Sequence, residues 1–199
     1  HVPREKQQEM LERIRNAADM THLSISGSLP QGIEPSYYDE ILAICSEQNI
    51  RIILDISSTK LRDLLHWNPL LIKPNDEELE QIFGIRIKKE SDIRKAFDFL
   101  HAEGAQNVLL TLGERGAYFS NGSAVYFASA RPIQLLSSAC AGDAALAAFL
   151  SIWLGHPDHI KDALKTMAAV GANVAESNAL GTLSRVDEYK NDIQVRRGI

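Results

Sequence analysis

Short apolar runs alternate with amphipathic stretches along the whole chain, and the alternation predicts the elements. Residues 6–18 have helical spacing and are followed by a strand at 21–26. Residues 36–48 place Tyr38, Ile41, Leu42 and Cys45 on one helical face, and the Ile-rich run 50–56 predicts a buried strand. A short helix at 60–66, a short strand at 70–73 and helices at 75–83 and 91–103 come next. The continuous apolar run 108–112 has the pattern of a parallel strand covered on both faces. Residues 117–120 and 124–128, joined around Asn121-Gly122, predict a hairpin. Two Ala-rich helices, 142–154 and 158–176, complete the pattern. Strands alternating with helices over short connections predict an α/β fold, a mostly parallel sheet with one antiparallel hairpin, in a single domain spanning residues 1–199.

Composition narrows the function more than the fold. With 45% hydrophobic and 24% charged residues, 199 residues bury a sizeable core. A net charge of -5 and a pI near 5.7 leave no basic stripe to displace counterions, so no nucleic-acid partner is expected. Arg196-Arg197 is too short to change this. The longest apolar run, near 144–154, is too short to span a bilayer, so no membrane partner is expected either. Cys45 and Cys140 have neither metal nor redox spacing, which suits a reducing, cytoplasmic setting. The first residue is His1 rather than Met, so the numbering is expected to begin inside a longer protein or after a removed N-terminus.

The polar and Gly-rich segments fall where parallel sheets bind ligands, outside the carboxyl ends of the strands. Cys140-Ala141-Gly142-Asp143 opens an Ala-rich helix. Small residues at a helix start bring free N–H groups close to an anion, and the adjacent carboxylate is placed to take a proton. Phosphoryl transfer to a hydroxyl requires that combination, although an Asp in a first turn is also an ordinary cap. Ser26-Gly27-Ser28-Leu29-Pro30-Gln31-Gly32 is either a loop facing a phosphorylated or polyhydroxy substrate or a plain turn. In Lys73-Pro74-Asn75-Asp76-Glu77-Glu78, Asn75 and Glu78 have capping-box spacing, while Lys73 suits nucleotide phosphates. Asn75 and Glu78 also suit a water-mediated magnesium ion, with Asp55 either assisting or capping a turn. Thr111-Leu112-Gly113-Glu114-Arg115-Gly116-Ala117 carries glycines for close phosphate approach or for a tight turn. His156 and His159 are expected to be no more than a helix start, and Trp67 and Trp153 to be core or partner-facing residues.

In order, Ser-Gly-Ser-Leu-Pro-x-Gly at 26–32, Lys-Pro-Asn-x-x-Glu at 73–78, Leu-Gly-x-x-Gly-Ala at 112–117 and Ala-Gly-Asp at 141–143 resemble the ribokinase-like sugar kinases of the phosphofructokinase B type. The 1-phosphofructokinase and tagatose-6-phosphate kinase branch is the most similar. The resemblance implies a three-layer α/β/α kinase that uses ATP and Mg2+ on a phosphorylated ketohexose. It implies Asp143 as base, with the backbone of Cys140, Ala141 and Gly142 as the anion hole. It places Lys73, Thr111, Gly113, Gly116 and Asn173 at the nucleotide, and Asn75 and Glu78 at magnesium and phosphate. Ser26 and Ser28 approach the sugar phosphate. A non-catalytic module binding a nucleotide or sugar phosphate is the alternative.

Three departures from the family pattern carry expectations of their own. Cys140 and Ala144 stand where the family has Gly and Ser. A positive φ at Cys140 would cost about 1–2 kcal/mol, and the thiol is expected to be reactive and within the site. The family's N-terminal third, with its sugar-binding segment and β lid, has no counterpart in these 199 residues. The missing portion is therefore an expected partner, the isolated piece is expected to be weak or inactive, and an uncovered sheet edge favours a homodimer.

Overall fold

The computed structural model describes residues 1–198. Among these residues, seven strands form one sheet in sequence order: β1 His22–Gly27, β2 Arg51–Ile56, β3 Leu71–Ile72, β4 Val108–Thr111, β5 Ala117–Ser120, β6 Val125–Ala128 and β7 Val195–Arg197. β1 to β4 pair in parallel, and β5 to β7 pair antiparallel. The helices are α1 Arg4–Arg15, α2 Tyr37–Glu47, α3 Lys60–Leu64, α4 Asp76–Phe83, α5 Glu90–Ala102, α6 Ala141–Trp153, α7 Ile160–Ala175 and α8 Val186–Asp192. The α/β fold with its hairpin matches the sequence pattern. Two compact units divide the chain, one from His1 to Leu109 and one from Leu110 onward.

In the first unit, β2 is buried along most of its length, with Ile52, Ile53, Leu54 and Ile56 sealed from solvent. Helix α2 packs on it and α1 packs on α2. β1 lies at the end of the strand order and exposes Ser24 and Ser26. The segment predicted as one short helix at 60–66 is split: α3 stops at Leu64 and a 3-10 turn continues through Trp67. Asn68, at φ 50°, ends that turn in the left-handed region, which asparagine tolerates well. Trp67 is half-buried, and its indole N–H donates to Asp39 at 3.2 Å.

In the second unit, Phe119, Phe149 and Trp153 form an aromatic cluster with centroids 5.4–5.7 Å apart, so Trp153 is core. α6 and α7 pack so closely that a Cβ on Gly171 would lie 3.4 Å from Ala145 Cβ. The hairpin turn is closed by Asn121, whose side-chain oxygen accepts from the Ser123 and Ala124 N–H groups at 3.1 and 2.8 Å. Sequence pattern predicted neither α8 nor β7. Only Tyr189 of α8 is buried, and β7 pairs antiparallel with β6 of the hairpin, with the Arg196 guanidinium 5.1 Å from the Phe127 ring centroid and that of Arg197 5.9 Å from the Tyr126 centroid.

Candidate functional site

The first unit gathers its chemistry-bearing residues at the carboxyl ends of β1, β2 and β3. Ser26 is in register with Asp55, and Leu54 with Ile72, which puts Lys73 directly after β3. Lys73 Nζ lies 2.9 Å from Asp55 Oδ1, with side chains 9% and 11% exposed. Two charges removed from water to this degree depend on each other. The structure thus gives Asp55 a partner in Lys73. Gly27 leaves β1 at φ 83°, turning the chain into a loop where Ser28 is exposed.

Beside that pair, the capping box at α4 is complete. Asn75 Oδ1 accepts from the Glu78 N–H at 2.8 Å, and Glu78 Oε2 accepts from the Asn75 N–H at 2.9 Å. The Ser57 hydroxyl donates to Glu78 Oε1. Ser57 lies in the polar stretch after β2, where a hydroxyl had no distinguishing spacing. The set fits a hydrated magnesium ion: a carboxylate has about four acceptor positions, so both Glu78 oxygens keep capacity for water.

In the second unit, Thr111 ends β4, and Gly113 at φ 57° and Gly116 at φ 91° shape the following 3-10 turn. A Cβ at Gly116 would lie 2.3 Å from the Ala128 carbonyl oxygen, so the hairpin itself demands glycine there. At Gly113 the same Cβ would meet nothing within 4 Å. Asn173 is buried; its side-chain oxygen accepts from the Arg185 N–H at 3.1 Å, holding the start of α8. That is a structural task the sequence reading did not assign to it.

The start of α6 carries the candidate anion site. Cys140 is its N-cap at φ 64°, ψ -6°, in the left-handed region, and its thiol is exposed. The Cys140 carbonyl accepts from the Ala144 N–H at 2.9 Å, closing the first turn. Gly142 and Asp143 are both exposed there. The Ala141 N–H donates to the Ser138 carbonyl at 3.2 Å, so it is not one of the free groups. Free N–H groups at a helix start and an adjacent carboxylate can hold an anion and take a proton.

Residues 3–185 match the profile described as pfkB family carbohydrate kinase. This chain belongs to the pfkB family of carbohydrate kinases. It is 49% identical over 191 residues to the D-tagatose-1-phosphate kinase of Klebsiella oxytoca, covering 96% of this chain and 62% of that protein. It is 35% identical to the D-tagatose-1-phosphate kinase of Bacillus licheniformis, with the same coverage of each, 96% and 62%. The pfkB-family chain therefore spans less than two thirds of the length of these curated relatives. Among solved structures, phosphofructokinase-2 from Escherichia coli in complex with substrates and products superposes with a TM-score of 0.83 at 24% identity, covering 94% of this chain and 62% of that one. This likeness extends the α/β assignment to the three-layer fold that the family resemblance implied. No helix among the described residues is long and apolar enough to cross a membrane.

Proposed function

We propose that the pfkB-family chain is the nucleotide-binding, catalytic C-terminal portion of an ATP-dependent kinase. Its substrate is a phosphorylated ketohexose of the fructose 1-phosphate or tagatose 6-phosphate type, converted to the bisphosphate. The observation that carries this reading is the left-handed Cys140 turn opening α6 with Asp143 exposed in its first turn. Relatives named for D-tagatose 1-phosphate, and the 1-phosphofructokinase of Bacillus subtilis at 29% identity over 94% of this chain and 61% of that protein, favour a ketohexose 1-phosphate as the first acceptor to assay.

In this reading Asp143 accepts the proton of the attacking hydroxyl, and backbone N–H groups of the 140–143 turn other than that of Ala141, which bonds Ser138, face the charge on the transferring group. Lys73, Thr111 and Gly113 contact the nucleotide, while Ser26 and Ser28 approach the sugar phosphate. Asn75 and Glu78 hold magnesium through its water shell. When bound, that ion neutralises charge on the phosphates. Positioning and electrostatics supply nearly all the catalysis such a transfer needs.

A coupled kinase assay with ATP, magnesium and each ketohexose phosphate tests the reading. The full-length protein is expected to turn over, and the isolated 199-residue chain to be weak or inactive. Absence of turnover in the full-length protein overturns the kinase assignment. Near-normal turnover by the isolated chain overturns only the dependence on the remaining portion.

A further inference from the structure

Residues 134–139 lead into the left-handed turn at Cys140, and they have little apolar burial of their own. Leu135 and Leu136 are 63% and 61% exposed. Hydrogen bonds from the carboxyl end of α7 hold the segment instead. The Ala175 carbonyl accepts from the Leu136 and Ser137 N–H groups at 2.9 and 3.1 Å. Glu176 Oε1 accepts from the Gln134 N–H at 3.0 Å. Its other oxygen accepts from the Tyr189 hydroxyl.

Tyr189 in turn cannot drift. Its side chain is fully buried, and its ring lies against the Arg131 and Arg185 guanidinium groups, 4.0 and 4.7 Å from the centroid. Arg131 also pairs with Asp192 and lies 3.6 Å from Glu188, and Arg185 lies 3.7 Å from Glu176. One carboxylate thus joins an aromatic and cationic cluster to the start of a backbone segment whose other hold on α7 is the Ala175 carbonyl. That segment ends at the residues proposed to hold the transferring group.

We propose that Glu176 is a positioning residue: by fixing Gln134, next to the Ala175 carbonyl's hold on Leu136 and Ser137, it sets the backbone at Cys140 and the direction of Asp143. The functional part of this inference rests on the kinase reading; the mechanical part does not. The Tyr189 hydroxyl and then the Gln134 N–H hold the Glu176 carboxyl below the usual carboxylate range, with Arg185 and Arg131 adding to the effect. The anchor is therefore charged at neutral pH.

Amide hydrogen exchange on the 199-residue chain reads the anchor directly. Glu176→Ala is expected to speed exchange about tenfold at Gln134, Leu136, Ser137 and Ala144, the last of which bonds the Cys140 carbonyl. Ala169 and Val170, inside α7, serve as the reference and are expected to stay unchanged. Glu176→Gln retains an acceptor for Gln134 and is expected to remain within about twofold of the parent. Tyr189→Phe, which keeps the core volume, covers the case in which the alanine variant does not fold, and is expected to raise exchange at Gln134 a few-fold. In the full-length kinase, Glu176→Ala is expected to lower kcat more than it changes KM for ATP, with rescue by glutamine. Unchanged exchange at Leu136, Ser137 and Ala144 overturns the proposal, as does a parallel rise throughout α7. If the wild-type protein has no kinase activity, the exchange result still decides whether Glu176 anchors the segment, so the two failures are distinguishable.

Discussion

The Lys73 ammonium and the Asp55 carboxylate form an ion pair of 2.9 Å in which each side chain is about nine-tenths buried. Parallel pairing creates it, because β2 and β3 end side by side and deliver the two residues to one place. Removing one partner strands a buried charge. Asp55→Ala is therefore expected to destabilise the chain by about 3–5 kcal/mol, far more than an exposed pair such as Lys6–Glu9 would. Urea unfolding of Asp55→Ala and of the double variant with Lys73→Met checks this. The double variant should recover much of the loss, and equal losses in both would contradict the coupling.

Cys140 occupies a left-handed backbone conformation at φ 64°. A Cβ there costs about 1–2 kcal/mol, while glycine adds about 0.5–1 kcal/mol of unfolded-state entropy. Cys140→Gly is thus expected to stabilise the chain by about 0.5–1 kcal/mol in chemical denaturation, whereas most cysteine substitutions elsewhere would be neutral or harmful. A loss of stability would mean that the thiol makes a compensating contribution. In the unsubstituted protein the exposed thiol is expected to be labelled more slowly with ATP present if, as proposed, the 140–143 turn is part of the nucleotide site. Equal labelling would remove Cys140 from the site.

Much of this architecture was legible because its cause is local. The apolar runs at β2 and β4 and the Asn75–Glu78 capping box follow from spacing alone, and the order of the four motifs carried the family. What escaped was whatever depends on distant partners. α8 is a polar heptapeptide that gains definition from Tyr189 packing under two arginines, and β7 from Arg196 and Arg197 lying on hairpin aromatics. Asn173 and Gly116 show the converse: the family resemblance implies a nucleotide-binding role for each, yet each has a structural task visible only in three dimensions. Ser57, bonded to Glu78, had no sequence spacing to announce it.

Asp143 separates a kinase from a binding module on the same scaffold. If it is the base, Asp143→Asn in the full-length protein is expected to reduce kcat by about 10²–10⁴-fold, the usual contribution of a positioned general base. ATP affinity should be nearly unchanged, since a neutral amide in the first helical turn leaves the N–H groups in place. Calorimetric titration with ATP alongside the coupled assay gives both quantities. Retained turnover would favour the non-catalytic module, and lost ATP binding would assign Asp143 to the nucleotide rather than to the proton.

His22 gives the first unit a pH dependence of its own. It stands in β1 in register with Arg51; burial, and secondarily the Arg51 charge, hold its pKa below the ordinary 6.5. Its Nδ1 lies 2.9 Å from the Thr21 hydroxyl, while Nε2 is buried with no partner among the described residues. Protonation is therefore easier in the unfolded chain than in the folded one. The unfolded state binds more protons as pH falls below 6.5, so the stability associated with neutral His22 is full above that value and is lost toward the lower folded pKa. Between about pH 6.5 and 5, above the range where carboxylates contribute, the urea midpoint is expected to decline in the parent chain. His22→Gln, which does not titrate, should flatten that decline. An unchanged slope in the variant would place the acid sensitivity in another residue.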